Sequence, residues 1–397
     1  MSEKTSEKKK GNWLTRALTS EKWSGLTVPL FCIVLTILTS SVILLALGKN
    51  PIPAFLSFLQ GSGLIPKPKY GGGQSMLSDF LNFLGFLAPM ILSSLAFVTG
   101  FKSGLFNIGI SGQMLLGGFM ATILVGYSSL PSIIAIPLVI IIGAIVGMLM
   151  GALVGFLKYK FNIHEVVSTI MFNYIVQYLT TFFINTYFVN AMTRSSKPIA
   201  KTASLTLPGI NGGAISIPLG IIVAVVAAIL IKRYLDKTIG GFEIKAVGSN
   251  SKAARYMGAS VGKRMIQAMA LSGMLAGLAG VCFYCGYYGT ITPNVLPAMG
   301  YDGITVALLG NNSPIGCIFA GALVSIFQFG ANYMSSTMAV PKEISSLITG
   351  ILLLFSACGA YFQYQAARSI QKKEDARLIK KAKEEIKEKE LEEGNNG

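Results

Sequence analysis

Apolar runs of membrane-spanning length, separated by short charged segments, recur between residues 26 and 362. A helix needs about 20 mostly apolar residues to cross the hydrocarbon core of a bilayer. The pattern therefore predicts an all-α polytopic membrane protein with about ten transmembrane helices. The predicted spans are residues 26–47, 78–99, 107–127, 133–155, 166–188, 216–233, 265–287, 295–310, 314–334 and 344–362. The eighth is short and is followed by Asn311, Asn312 and Pro314, which favours a half-helix or a re-entrant piece.

Low charge excludes most soluble classes of protein. Charged residues make up 13% of the 397 residues, whereas a soluble domain carries about 25%. A basic segment, residues 1–25, precedes the first apolar run, which has full spanning length and no following A-x-A cleavage site. We therefore expect a retained first span that starts in the cytosol. Residues 26–362 form the predicted transmembrane domain, and residues 363–397 form a charged cytosolic tail.

The predicted topology divides the net charge of +16 unevenly. With the N-terminus in the cytosol, 26 of the 33 Lys+Arg residues fall in inside segments and seven in outside segments. The positive-inside rule then favours an N-in, C-in protein with an even number of spans. Eight spans also fit if the short segments do not cross. We expect a multi-pass protein of the plasma (cytoplasmic) membrane that contacts the lipid bilayer and no nucleic acid.

Glycine spacing and loop composition describe the packing of the bundle. Gly143, Gly147, Gly151 and Gly155 recur every four residues on one face of the fourth span, and such small residues let another helix approach closely. The outer segments 48–77 and 189–215 contain several Pro and Gly residues, so they are predicted to be irregular. They either dock an external partner or serve as simple connectors.

Few residues offer catalytic or metal-binding chemistry. His164 is the single histidine, and all five cysteines lie in apolar runs. The pair Cys282 and Cys285 has no second C-x-x-C, so both are interpreted as small buried residues. The segment 258–264 is one residue short of a P-loop and has Arg264 where that motif needs Ser or Thr. We predict no enzyme activity, no cofactor and no metal site in this chain.

The longest inner loop, residues 236–264, holds the most informative cytosolic segment. Ser249 or Asn250 can cap a short helix there, and Gly258 can end it. The sequence predicts a short helix outside the bilayer that contacts a cytosolic partner. The alternative is a structured loop without such a role.

Four ordered blocks carry a resemblance to a known family. They are residues 104–114 (GLFNIGISGQM), 165–174 (EVVSTIMFNY), 247–258 (VGSNSKAARYMG) followed by 271–280 (LSGMLAGLAG), and 301–310 (YDGITVALLG). The chain resembles permease subunits of ATP-binding-cassette importers, in the branch that handles simple sugars, branched-chain amino acids and nucleosides. The second block is similar to the E-V-I-S-T-I-M-L-N-Y stretch of the nucleoside-type permeases. The family pattern usually has Glu at the position of Ser111.

The resemblance implies three protein partners. They are an ATP-binding cassette subunit, an extracellular substrate-binding lipoprotein, and a second permease subunit that is either a related chain or a second copy. Such permeases couple to the ATP-binding subunit through a short cytosolic helix. The residues that take this coupling role by resemblance are Gly248, Ser249, Asn250, Ala253, Ala254, Tyr256, Met257 and Gly258.

Polar residues inside the predicted spans indicate a substrate path, because intramembrane polar groups are expensive and face the bundle interior. The predicted path residues are Asn107, Ser111, Gln113, Glu165, Thr169 and Asn173. The alternative is that they make hydrogen bonds between helices. Phe172, Tyr174 and Tyr178 either stack on a base or pack in the bundle.

The favoured function is uptake of nucleosides by an importer that ATP hydrolysis on partner subunits drives. Import of simple sugars or branched-chain amino acids is the alternative. A stand-alone secondary transporter is less favoured, because only Glu165 and Asp302 are available near the membrane as coupling carboxylates.

Overall fold

The computed structural model describes residues 24–70, 74–207, 216–338, 340–359, 361–372, 375–376 and 378–379. Nearly all of the regular structure in these residues is helical. The named helices are α1 (Ser24–Ala46), α2 (Pro51–Gly61), α3 (Met76–Phe101), α4 (Ile110–Ala121), α5 (Ser132–Phe161), α6 (Glu165–Phe183), α7 (Gly220–Lys237), α8 (Ile239–Ser249), α9 (Ser251–Tyr256), α10 (Val261–Val281), α11 (Met299–Leu309), α12 (Pro314–Met338) and α13 (Lys342–Ala357).

Three helices continue into π-helical turns at the end farther along the chain. These turns are Thr122–Gly126 after α4, Ile184–Phe188 after α6 and Cys282–Tyr288 after α10. Between α6 and α7, a short 3₁₀ turn (Lys201–Ala203) and a two-residue antiparallel pair, β1 (Thr206–Leu207) with β2 (Ile217–Pro218), interrupt the loop. Residues 361–372 are also helical. The first 23 residues and most of the predicted tail lie outside the described residues.

The helices confirm an all-α polytopic membrane protein. Each of the ten predicted spans coincides with a helix in the described part of the chain. Among the described residues, five helices, counted with their π turns, are long and apolar enough to cross a bilayer, and α1 with α2 forms a sixth candidate that bends by 120°. α3 lies at the centre, since it packs against α7, α10, α11 and α12.

The helices α5 and α10 pack closely along the predicted glycine face. A Cβ placed on Gly147 would lie 2.8 Å from Gly277 Cα, whereas carbon atoms in contact are about 3.5–4.0 Å apart. Gly143 likewise packs on Gly277, and Gly151 packs on Gly273. The predicted close approach of another helix to this face is confirmed.

The prediction that residues 48–77 are wholly irregular is wrong. α2 occupies the first part of this segment, with Asn50 as its N-cap and Pro51 and Pro53 in its first turn. Proline is tolerated in that turn because the backbone N–H it lacks would have no intrahelical partner. α2 packs on α12, where the rings of Phe58 and Phe327 lie 5.2 Å apart.

The helices α4 and α11 are shorter than a full span. α11 has 11 residues, so it is about 16 Å long, roughly half the thickness of a bilayer core. α4 has 12 residues and continues for 5 more in its π turn, so the two together are about 25 Å long. The short eighth helix is thus confirmed. The chain enters each of them through a non-helical segment, residues 102–109 before α4 and residues 289–298 before α11.

Candidate functional site

The non-helical segment before α4 runs through the interior of the bundle. Within it, Gly104 has φ +79 and packs on Gly248 of α8, and Asn107 is fully buried. Backbone N–H and C=O groups buried outside a helix need other partners, because an unsatisfied polar group in a membrane interior is costly. Polar side chains from α4, α6 and α10 gather around this segment.

Asn107 ties three helices together. Its Oδ1 accepts a hydrogen bond from Gly109 N at 2.9 Å, and its Nδ2 donates to Gln113 Oε1 at 3.0 Å and to Ser272 Oγ at 2.8 Å. Ser272 Oγ in turn donates to the carbonyl of Ala96 at 2.6 Å. Residues of α3, α4 and α10 are therefore joined through one amide.

Asn173 of α6 connects the same segment to α11. Its Oδ1 accepts from Gly112 N at 2.9 Å, and its Nδ2 donates to Ile108 O at 3.1 Å and to the hydroxyl of Tyr301 at 3.3 Å. Thr169 lies one turn earlier, against Gly109. The asparagine thus satisfies backbone groups on both sides of the start of α4.

Ser111 brings the N-terminal ends of α4 and α11 into contact. Its Oγ donates to Pro297 O at 3.0 Å, and Gly300 packs directly on it. A longer side chain in place of Ser111, such as the Glu typical of the family pattern, would need α11 to move. We call this region the junction; its members are Asn107, Ser111, Gln113, Thr169, Asn173 and Gly300.

The predicted path residues therefore fall into two places. Five of the six belong to the junction and are at most 1% exposed. The sixth, Glu165, makes an ion pair with Lys158 of α5 at 2.9 Å. Of the predicted stacking residues, Tyr174 and Tyr178 are more than half exposed on α6, and Phe172 packs among buried apolar side chains.

A cavity of about 800 Å³ lies beside the junction. Residues 290–299 contribute much of its wall, including Pro297, whose carbonyl accepts the hydrogen bond from Ser111. The remaining lining residues are Phe86, Phe283, Tyr284, Tyr288, Asp302, Gln328, Ala331, Asn332, Gly350 and Leu353. This volume lies within the range of about 300–1,000 Å³ typical of small-molecule sites.

The polar residues of this cavity were not among the predicted path residues. Gln328 and Asn332 lie four residues apart on α12, and Gln328 Nε2 donates to Asp302 Oδ2 at 3.0 Å. The rule that intramembrane polar groups indicate function applies to them as well, since both lie in the predicted ninth span. The lining residues include one carboxylate, that of Asp302, and no Lys, Arg or His.

The predicted short helix is present as α9, and its position in the cytosol stays a prediction. Asn250 is its N-cap and accepts hydrogen bonds from Lys252 N and Ala253 N, each at 3.0 Å. Gly258 follows with φ +87, a backbone conformation that favours glycine. The sequence did not predict α8, which leads directly into this N-cap.

Side chains of α9 divide into an inner and an outer face. Ala254 is fully buried in a small apolar cluster with Val247 and Val261. Tyr256 is 91% exposed and Met257 is 68% exposed. Ser249, Asn250 and Ala253 are exposed too, whereas Gly248 packs on the backbone of residues 102–104.

The helix α10 connects the exposed face of α9 to the cavity. α10 begins at Val261, three residues after Gly258, and continues through its π turn to Tyr288, which lines the cavity. At 1.5 Å per residue, α10 with its π turn is about 40 Å long. The cavity and α9 therefore lie at opposite ends of the bundle.

Comparison with known proteins decides the family. Residues 80–357 match the family model described as a branched-chain amino acid transport system permease component, and this range covers the junction, the cavity and α9. The chain belongs to this permease family. It is accordingly a transport subunit of the cell membrane with several spanning helices, not an enzyme.

Individual relatives cover most of the permease. The nucleoside ABC transporter permease protein NupB of Lactococcus lactis is 35% identical over 351 residues, which are 85% of this chain and 92% of the relative. The guanosine ABC transporter permease protein NupP of Bacillus subtilis is 35% identical over 341 residues, 85% of this chain and 94% of the relative. The glucose ABC transporter permease protein TsgB13 of Haloferax volcanii is 27% identical over 353 residues, 86% and 89% of the two chains.

Proposed function

We propose that this permease is the transmembrane subunit of an ABC importer that takes up nucleosides. The carrying observation is the 35% identity to two permeases named for nucleoside and guanosine transport, over 85% of this chain. The relative named for glucose is less similar, at 27%. Sugars and branched-chain amino acids are the alternative cargoes that an uptake assay must separate.

The proposed topology has ten spans with both termini in the cytosol. α9 then faces the cytosol and the cavity opens toward the outside, because α10 separates them by about 40 Å. An ATP-binding cassette subunit would dock on α9, a substrate-binding lipoprotein on the outer loops, and a second permease, related or identical, alongside. ATP hydrolysis on the partner drives the cycle.

The coupling surface rests on the exposed outer face of α9 and the turn after it. Tyr256 and Met257 are large, apolar and exposed, and such side chains are the usual anchors of protein interfaces. Ala253 has a small side chain, so it allows the partner subunit to approach this face closely. Ala254 serves the fold instead, since its own chain buries it, and Gly248 connects the surface to the segment that leads into the junction.

In this proposal the junction is the closed barrier between the cavity and the cytosol. Residues 104–113 extend from the contact with α8 to the hydrogen bond between Ser111 and Pro297, at the edge of the cavity. Motion of α8 and α9 would be transmitted along this segment and would separate α4 from α11. The predicted path residues of the junction then meet substrate as the barrier opens.

Uptake by cells that produce the complete transporter tests the cargo. We expect accumulation of labelled guanosine or uridine that an excess of other ribonucleosides suppresses and that glucose or leucine leaves unchanged. Accumulation of leucine or glucose that nucleosides do not suppress would instead identify a branched-chain amino acid or a simple sugar as the cargo. Uptake by the purified permease without ATP or partner subunits would instead favour a secondary transporter.

Substitution of both Tyr256 and Met257 by Ala tests the coupling surface. Loss of anchoring side chains at an interface weakens association by about 30-fold or more, so we expect uptake to fall while the permease stays folded and inserted. Tyr364→Ala is the matched control, because Tyr364 is also exposed, at 61%, but lies outside α9. Normal uptake by the double variant would remove α9 from the coupling role.

A further inference from the structure

The cavity beside the junction presents two acceptor atoms on adjacent side chains. Gln328 Nε2 donates to Asp302 Oδ2 at 3.0 Å. A carboxylate only accepts, so this contact fixes the orientation of the amide and leaves Gln328 Oε1 as an acceptor. Within the described part of the chain, neither Asp302 Oδ1 nor Gln328 Oε1 has a hydrogen-bond partner, and both side chains line the cavity.

Aromatic side chains line another part of the cavity wall. Phe86, Phe283, Tyr284 and Tyr288 line the cavity, and the rings of Phe283 and Tyr288 lie 4.7 Å apart. Aromatic side chains of this kind stack on the flat faces of bases with little regard for base identity. The cavity therefore combines a surface for a planar ring with a separate pair of acceptors.

The charge of the lining restricts the ligand further. Asp302 is its one charged residue, and no Lys, Arg or His lines it. A phosphate or an amino-acid carboxylate would enter without a cationic partner, which is unfavourable in a membrane interior. The lining favours a neutral ligand that brings hydrogen-bond donors.

We propose that this cavity binds a ribonucleoside, with the base on the aromatic wall and the 2′ and 3′ hydroxyls donating to Asp302 and Gln328. This inference rests on the proposed nucleoside function and adds which group of the nucleoside the cavity recognises, the ribose diol. A ribose cis-diol supplies two adjacent donors, the complement of the two free acceptors. Because every ribonucleoside has this diol, one cavity serves purine and pyrimidine ribonucleosides alike, and it rejects their 5′-monophosphates.

Equilibrium binding to the purified transporter in nanodiscs, with its ATP-binding subunit and without the binding protein, tests the contact. Uridine is the probe, because its base has no pair of adjacent donors. We expect 2′,3′-dideoxyuridine to bind about 10–100-fold more weakly than uridine, as is typical when hydrogen bonds to a charged group are lost. Uridine 5′-monophosphate should also bind more weakly than uridine.

Two variants locate the effect at the proposed atoms. Asp302→Asn keeps an acceptor for Gln328 but removes the charge, and it should bind uridine and dideoxyuridine with nearly equal affinity. Gln328→Ala should reduce the same discrimination. Glu343→Gln, which changes an exposed carboxylate on α13, should retain the full difference.

Three results would overturn the proposal. Equal binding of uridine and dideoxyuridine to the unmodified transporter would show that the diol is not read. Binding of guanosine and dideoxyguanosine alike, without uridine, would show that Asp302 reads the N–H edge of guanine. Retained discrimination in Asp302→Asn would place the contact elsewhere. A transporter that imports no nucleoside at all would instead contradict the proposed function itself.

Discussion

Two regions at the centre of the permease are buried to a similar degree but differ in chemistry. Between α5 and α10, glycines from both helices bring the two backbones into direct contact. At the junction, amide and hydroxyl side chains hold the N-terminal ends of α4 and α11 and a non-helical segment. The first region consists of non-directional contacts between small groups, and the second consists of hydrogen bonds with defined partners.

The difference indicates separate mechanical roles. Close helix packing has no alternative arrangement of similar energy, because a shift of either helix brings backbone atoms into overlap. Hydrogen bonds can exchange partners when chain segments move, provided that each buried polar group finds another partner. We therefore assign the α5–α10 pair to the fixed frame and the junction to the moving barrier, and the following predictions test that assignment.

The largest effect is expected from Gly277→Leu in the frame. A side chain at this position would overlap the backbone of Gly143 and Gly147 on α5, so we expect little folded protein to be recovered from the membrane. Gly350→Leu is the control, since no heavy atom lies within 4 Å of a Cβ at Gly350. Size-exclusion profiles of the solubilised variants measure the difference, and a monodisperse Gly277→Leu protein would contradict the frame assignment.

A smaller effect is expected from Asn107→Ala at the junction. The change leaves the buried backbone N–H of Gly109 without its acceptor and Gln113 Oε1 without its donor, whereas Ser272 Oγ loses a donor but keeps its bond to Ala96 O. One such unsatisfied group costs about 1–3 kcal/mol, so thermal unfolding should shift by several degrees while the protein still folds. Asn190→Ala, in an exposed loop, should lower the unfolding temperature far less. Equal shifts in the two variants would mean that the hydrogen bonds of Asn107 contribute no more to stability than those of an exposed asparagine.

Ser111→Ala should have a still smaller effect on stability but a visible one on transport. It removes the single hydrogen bond from Oγ to Pro297 O, which contributes about 0.5–1.5 kcal/mol. Weakening the contact between α4 and α11 should raise basal ATP hydrolysis by the assembled transporter, because the barrier opens more readily. Ser336→Ala on the exposed side of α12 is the control. Unchanged ATPase activity in Ser111→Ala would argue against a barrier at this contact.

The smallest effect concerns a pair outside both regions. Arg264 Nε donates to Glu243 Oε2 at 2.7 Å, and this hydrogen bond holds the pKa of Glu243 below its usual range. The stabilisation is therefore fully present above the ordinary carboxyl pKa of about 4.3, and it is lost as pH falls through the lowered pKa of the folded protein. Glu243→Gln should unfold at a lower temperature than the unmodified protein at pH 7, and the two should converge in acid. A constant difference at all pH values would contradict the ion-pair explanation.

The frame was predictable from sequence, because the spacing of small residues determines how closely two helices pack. Gly143 to Gly155 gave one face of α5 correctly. The helix α2 was missed because Pro51 and Pro53 resemble loop residues unless their place in a first helical turn is known. The sequence predicted that Ser249 or Asn250 caps the short helix, and Asn250 is the cap of α9. This was predictable because capping depends on local sequence.

The junction and the cavity were predictable only in part. Sequence identified Asn107 and Asn173 as buried polar residues, but their partners lie 165 and 128 residues away along the chain, at Ser272 and Tyr301. Spacing within one helix gives no information on such pairs. Gln328 of the cavity carried the same signal as the junction residues, yet only the packing of α12 on α11 brings it to Asp302.

Amide hydrogen exchange of the complete transporter, compared between the nucleotide-free and ATP-bound states, tests the central claim most directly. Exchange reports local opening of backbone hydrogen bonds. The account predicts that peptides covering residues 105–113 and 297–303 change their exchange between the two states. Peptides covering residues 143–155 and 269–281 should stay equally protected in both. A change confined to α5 and α10, with a constant junction, would contradict it.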